Sequence, residues 1–362
     1  MGGWDMIVFI KIMRETIMAG KKTTLAAIAR EAHVGIATVD RVINQRATVR
    51  PETARRVIAA AHKLGFALEK SHQLFETMGQ PAARIKMGFI LLRKEHSFYA
   101  QLADSLLEQA APYYDAEHPP QFMFHDISAV SDTAAAITQL SQNVDVIGVL
   151  ALDNPMIRFA VEEASRQGVK VFTLLSDLSV HSRAGYIGWD NQQAGRTAGW
   201  AVERLCHRQG DVGVIIGDNR FLCQETCEIS FRSYLREHLS GLRVLEPVRS
   251  HERTESARQV TQTLLEQHPN LVALYAPCGG VEGIIAALRE SGRQHQVMLI
   301  CHGPVTGGEM ALIDGTLDLM LRHRIAEFAA SVISTFVAAT VGGSSGFSHT
   351  INRFDLITKE NL

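Results

Sequence analysis

The stretch TTLAAIAREAHVGIATVDRVINQ, residues 23–45, decides how the first part of the chain folds. Leu25, Ile28, Ala29 and Ala32 recur at helical spacing, and Thr24 stands where a side-chain oxygen can cap the helix start. After a break at His33–Gly35, Val39, Val42 and Ile43 form a second apolar stripe. At roughly 100° per residue the opposite face of that helix carries Ala37, Asp40, Arg41 and Asn44. Pro51 and Glu52 suit the first turn of a third helix, which would bury Val57, Ile58, Ala61 and Leu64. Residues 23–68 therefore read as an all-α helix-turn-helix head.

Charge separates this head from the rest. Between Met18 and Leu68 nine Lys and Arg stand against three acids, a net +6, while the whole chain carries -2, so the remainder carries -8. A basic head on an acidic body is the layout expected when one part meets phosphates. An exposed Arg41 can donate two bonds to guanine, Asn44 can reach base or phosphate, and Ala37 permits close approach. Arg46, Arg50, Arg55 and Arg56 would hold phosphates. A helical bundle used for protein contact remains the alternative on this pattern alone.

Residues 29–66, AREAHVGIATVDRVINQRATVRPETARRVIAAAHKLGF, resemble the head of the lactose-repressor (LacI) family of bacterial transcription regulators. Thr38, Val39, Arg41, Val42, Asn44 and the triplet Leu64-Gly65-Phe66 carry the likeness. The resemblance implies that Ile36, Ala37 and Arg41 face bases and that Thr38 and Asn44 lie near the backbone, with Thr24, Gly35, Asp40, Arg50 and Arg55 in the same DNA-binding surface. His33 stands where the family has its turn glycine, and Gly35 and Asp40 stand where it has serines. Asp40 would shape operator preference. Residues 69–83 correspond to the family's hinge, with Leu74 or Phe75 as the minor-groove wedge; this chain lacks the usual asparagine-proline start. Residues 1–22 are an N-terminal extension whose translation start lies at Met1 or nearer Met18.

From Arg84 onward apolar runs alternate with helical patterns. The strand candidates are 85–92, 121–126, 144–152, 169–175, 184–189, 211–217, 242–248, 271–276, 296–301 and 317–322. Such alternation predicts parallel sheets covered on both faces, and its length predicts two lobes. LALDNPMIRFAVEEASRQGVKVFTLLSDL (150–178) and RAGYIGWDNQQAGRTAGW (183–200) resemble the type I periplasmic sugar-binding fold. That likeness implies an effector-binding domain over 84–362, with an N-lobe of about 84–190 and 318–345 and a C-lobe of about 191–317 and 346–362.

A ligand would lie between the lobes, at the carboxyl ends of the strands. Phe98 and Tyr99 match the aromatic position that stacks on a sugar ring. Asp153 beside Asn154 offers a carboxylate to hydroxyls, and Asp177, Arg183 and Asp190 bracket neighbouring connections, where turn and N-cap chemistry is the alternative. In the C-lobe the candidates are Glu228, Cys278 and His302, while Gly279 and Gly280 offer backbone and His323 stands where many relatives have glutamine. By this reading Asp153→Ala abolishes the ligand response and spares DNA binding.

Other chemistries have weak signals. The turn CGGVEG (278–283) lacks a nucleotide-binding glycine pattern, and Cys223, Cys227 and His302 lack metal-ligand spacing. Five cysteines without a tight pattern fit a reducing compartment, and no apolar run approaches the roughly 20 residues of a membrane span. The expectation is a cytoplasmic, homodimeric transcription regulator, not an enzyme, without cofactor or metal. Its expected partners are double-stranded operator DNA and a small sugar, polyol or related metabolite, with no membrane. A sugar-binding receptor and an α/β enzyme with an appended head are the alternatives.

Overall fold

The computed structural model describes residues 24–43, 49, 53, 56–57, 60–61, 84–238, 241–341 and 346–362. The chain divides into two compact units between Ala83 and Arg84. The expectations for the extension 1–22, for the linker 69–83, and for Asn44, Arg46, Arg50, Arg55, Leu74 and Phe75 lie outside the described residues.

In the first unit, α1 (Leu25–Glu31) starts at Thr24, whose extended backbone lets its Oγ1 accept the Ala27 N–H at 3.3 Å. α2 is Ile36–Ile43. The intervening turn needs a left-handed residue, which His33 supplies at φ 52°, a conformation histidine tolerates better than most side chains. Ile28, Ala29, Ala32 and Val39 pack with Val57, Ala60 and Ala61 in one small core. Ile28, Val39 and Val57 are fully buried, and each is worth about 1.5–3 kcal/mol relative to exposure.

The second unit holds two sheets. Strands β1 (Met87–Leu92), β2 (Gln121–His125), β3 (Val146–Val149), β4 (Lys170–Leu174) and β5 (Gly185–Trp189) pair in parallel in the order β5-β4-β3-β1-β2. Between them run α3 (Ser97–Ala110), α4 (Val130–Ser141) and α5 (Pro155–Arg166). All six residues of β1 are buried, as expected of a central parallel strand covered on both faces.

The chain then crosses to the second lobe: α6 (Asn191–Leu205), β6 (Asp211–Ile216), α7 (Leu222–Glu237), β7 (Arg243–Val244), β8 (Val248–Arg249), α8 (Thr254–Gln267), β9 (Leu271–Ala276), α9 (Val281–Glu290), β10 (Met298–Gly303), α10 (Gly308–Ile313) and β11 (Leu319–His323). It returns as α11 (Ile325–Thr340) and β12 (Ser348–Asn352), which lies beside β5, and ends with β13 (Phe354–Ile357) antiparallel to β11. The second sheet runs β13-β11-β10-β9-β6-β7, with β8 also on β6. The lobes are thus joined by three crossings.

Two lobe boundaries differ from the sequence reading. β11 belongs to the second sheet, because Ile300 to Gly303 pair in parallel with Leu319 to Arg322, so 318–323 is not N-lobe. Ser348–Asn352 is an N-lobe edge strand, so 346–362 is not wholly C-lobe. β12 alternates between exposed and half-buried residues, and such an edge carries no apolar run to mark it. Residues 242–248 form two dipeptide strands rather than one.

Candidate functional site

Both sheets aim their carboxyl ends at one cavity of about 130 Å³. The first lobe contributes His96–Tyr99 after β1, Leu150 after β3, Leu175 after β4 and Trp189 at the end of β5. From the second come Phe221, Cys223, Gln224 and Cys227 around the start of α7, Glu252 after β8, Pro277–Glu282 after β9, His302–Val305 and His323. Parallel strands place ligands at such ends because the connecting loops, free of ladder constraints, converge there.

Four of the expected effector residues line this cavity: Phe98, Tyr99, Cys278 and His302. Phe98 and Tyr99 meet edge to face at 5.1 Å. His302 Nε2 bonds the Tyr275 hydroxyl at 2.9 Å, and burial pushes its pKa down to about 4. His323, held well below its ordinary value by burial and by His302, stacks on Trp189 at 3.7 Å. Among the described residues its buried Nδ1 has no hydrogen-bond partner. The cavity therefore has two neutral imidazoles and an aromatic wall. Burial also lifts the thiols, Cys223 to about 12 and Cys227 and Cys278 upward as well, so all three stay protonated and weakly nucleophilic.

The other six expected residues are engaged elsewhere. Asp153 accepts the Ser179 N–H at 3.2 Å and pairs with Arg158 at 3.5 Å, while its own N–H reaches across to the Arg220 carbonyl. Asn154 caps α5, accepting the Met156 N–H at 2.9 Å, and Asp190 caps α6, accepting the Gln193 N–H at 2.8 Å. Asp177 and Arg183 form a bidentate pair, two bonds of 2.8 Å, and Asp177 also accepts from Thr173 and Leu178. Glu228 accepts two bonds from Arg232 one turn away. Caps, turns and ion pairs thus engage these side chains. Trp189, Gln224, Glu252 and His96 were not expected in the site. Trp189 reads as strand core in sequence, and Glu252 follows a strand too short to announce itself.

Around the cavity the lobes touch. Ser97 Oγ and Thr306 Oγ1 lie 2.9 Å apart, Cys223 N–H reaches Ser176 Oγ at 3.3 Å, and Arg253 pairs with Asp126 at 2.9 Å. In the head, the α2 surface exposes Gly35, Ile36, Ala37 and Arg41, with Thr38 and Asp40 half-buried and Thr24 exposed beside it.

Residues 24–67 match the bacterial regulatory proteins of the lacI family, and residues 87–342 match the periplasmic binding protein domain. The chain belongs to the lacI family of bacterial regulatory proteins and carries a periplasmic binding protein domain. Its head is thereby a DNA-binding helix-turn-helix, and its body has the periplasmic-binding-protein fold. Among solved structures, the body resembles GanP, a glucose-galactose binding protein from Geobacillus stearothermophilus, at 18% identity, TM-score 0.68, covering 77% of this chain and 99% of that one. An Agrobacterium vitis ABC transporter solute binding protein with bound D-fucose matches at 17% identity and TM-score 0.70, covering 76% and 96%. A Burkholderia graminis solute binding protein in complex with D-arabinose matches at 20% identity and TM-score 0.68, covering 78% and 98%. Comparison with curated protein sequences finds no match. Among the described residues, no helix is long and apolar enough to cross a membrane.

Proposed function

We propose that this lacI-family regulator is a cytoplasmic, homodimeric repressor without enzymatic activity, whose operator affinity is set by a small neutral sugar or polyol held between the lobes. The observation that carries the effector half is the cavity itself, at the carboxyl ends of both sheets, with aromatic walls and hydrogen-bonding side chains but no reactive nucleophile. Phe98 supplies a face for a sugar ring, and Trp189, on which His323 and Phe328 stack, closes the wall behind it; Tyr99, Gln224, His302 and the backbone at Cys278–Gly280 supply hydrogen bonds. Asp153, Asn154, Asp177, Arg183, Asp190 and Glu228 hold the lobes and their loops in shape. A ligand that binds the closed pair of lobes better than the open pair shifts that equilibrium by the difference in affinity.

Thermal unfolding in the presence of D-glucose, D-galactose, D-fucose and D-arabinose tests the effector reading. A true ligand at 100 times its dissociation constant raises stability by about 2.7 kcal/mol; no shift across these sugars and simple polyols removes the sugar from the proposal.

On the DNA side, Ile36, Ala37 and Arg41 face base edges, with Thr24, Gly35, Thr38 and Asp40 around them. Two-fold pairing would set two heads on a palindromic operator. Arg41→Ala is expected to lose roughly 1–3 kcal/mol at one base pair of the operator, read by binding assays on single-base operator variants. An equal loss on random DNA would make Arg41 a phosphate contact instead.

A further inference from the structure

The cavity holds one side chain whose chemistry none of the preceding observations explains. Glu252 is 4% exposed and lines the cavity. Its Oε1 accepts from Gln224 Nε2 at 2.8 Å and its Oε2 from the Gly279 N–H at 2.9 Å. Gln224 is itself fixed, its Oε1 accepting the Gly217 N–H at 2.5 Å. The backbone closes on the carboxyl from two sides: a Cβ on Gly217 would stand 2.1 Å from Oε1, and one on Gly279 2.5 Å from Oε2. Only glycine admits so close an approach. The chain delivers this carboxyl through two consecutive left-handed residues, His251 at φ 55° and Glu252 at φ 57°, a strain that persists only where the surroundings enforce it and that clusters at ligand clamps.

Among the described residues no lysine or arginine pairs with it; His96 is the basic side chain that bears on it. The next residue, Arg253, turns to Asp126 instead. Among the described residues, neither lysine nor arginine lines the cavity. The titratable groups that bear on Glu252 are His96 from the loop after β1, Tyr99 on α3, Cys223 on α7, Cys278 in the loop after β9 and a second carboxyl, Glu282, on α9. A structural clamp between Gln224 and Gly279 requires two acceptors, but it does not require a buried carboxyl without a lysine or arginine partner. Burial accordingly lifts its pKa.

We propose that Glu252 is the specificity-determining residue that fixes the ligand's charge, admitting uncharged polyhydroxy ligands and excluding their carboxylate and phosphate derivatives. The inference rests on reading the cavity as the effector site and deepens that reading. A hydroxyl both donates to a carboxylate and accepts from neighbouring donors, so it loses little on entering. An anion leaves its hydration shell and finds two carboxyls with neither lysine nor arginine to replace it. Selection of this kind works by rejecting the wrong ligand as much as by holding the right one.

The test is calorimetric titration of the full-length protein at pH 8 with D-glucose, D-galactose and D-arabinose, each beside D-glucuronate, D-galacturonate or D-arabinonate. The neutral member of the binding pair is expected to bind about a hundredfold more tightly than its acid, and Glu252→Gln to cut that ratio to about tenfold or less. Glu252→Met, uncharged and of similar volume, is the second variant, since Gln sets an N–H against one of the two donors. An acid that binds the wild type within tenfold of its neutral partner overturns the proposal while leaving the sugar reading intact. So does a ratio unchanged in whichever variant folds. Binding of none of the six, nor of D-fucose or simple polyols, removes both readings together.

Discussion

Between pH 7 and pH 4.5 the stability gap between the wild type and His302→Gln is expected to move by on the order of 2 kcal/mol, with the wild type losing ground on acidification. The cause is the depressed pKa of His302, about 4 against 6.5 for the free side chain. Above the unfolded value both states are neutral and the group contributes nothing to the pH slope. As pH falls from about 6.5 toward 4, the unfolded chain takes up a proton that the folded cavity refuses, so folding weakens across that window. Gln keeps a polar contact to Tyr275 and has no proton to gain. Asp126, Asp211 and Asp355, whose pKa values arginine pairing and hydrogen bonds lower, lose native stabilisation in acid too, but equally in both proteins, so they cancel in the difference. Urea unfolding of both proteins at the two pH values reads the effect. A gap that does not change would mean that His302 is not desolvated in solution.

How much of this was legible depended on how each feature leaves its mark. The head's core was written in periodic Ile28, Ala29, Ala32 and Val39, and they pack together. The central strands were written as unbroken apolar runs: LVALYA (271–276) is a strand with every residue buried. The boundaries at 317/318 and 345/346 were not legible, because lobe membership is decided by pairing partners far along the chain, and β12 and β13 are short and half-exposed. Positions just after strands pointed to Phe98, Tyr99, Cys278 and His302. The same logic also chose Asp153, Asp177 and Asp190, since a carboxylate after a strand equally serves a turn or a helix cap. Glu252 was invisible for the opposite reason: it follows a two-residue strand through a left-handed turn that no local residue preference announces. The site's sequence signal was thus strongest where regular strands end and weakest where the backbone is irregular, which is where its most distinctive carboxyl sits.

That irregular corner depends on the helices behind it, and Gly283→Ala is expected to disturb both fold and site. Gly283 lies in the first turn of α9, and a Cβ there would stand 1.9 Å from the Thr254 carbonyl oxygen and 2.8 Å from the Arg258 nitrogen, both backbone atoms of α8. No rotamer can relieve a clash with backbone, so the two helices must part, at a cost on the order of 3 kcal/mol. The same movement would carry Gly279–Glu282, which lead into α9, away from Glu252, which precedes α8. The bond from the Gly279 N–H to the Glu252 carboxyl would stretch, exposing the carboxyl to water. A single methyl group is therefore expected to lower the urea midpoint and to weaken ligand binding more than tenfold, about 1.4 kcal/mol. Gly346→Ala is the control, because among the described residues its added Cβ meets nothing within 4 Å, and its stability should stay within about 0.5 kcal/mol of the wild type. Equal effects from the two substitutions would show that α8 and α9 yield in solution. A destabilised Gly283→Ala that still binds its ligand with full affinity would separate the packing of these helices from the geometry of the cavity.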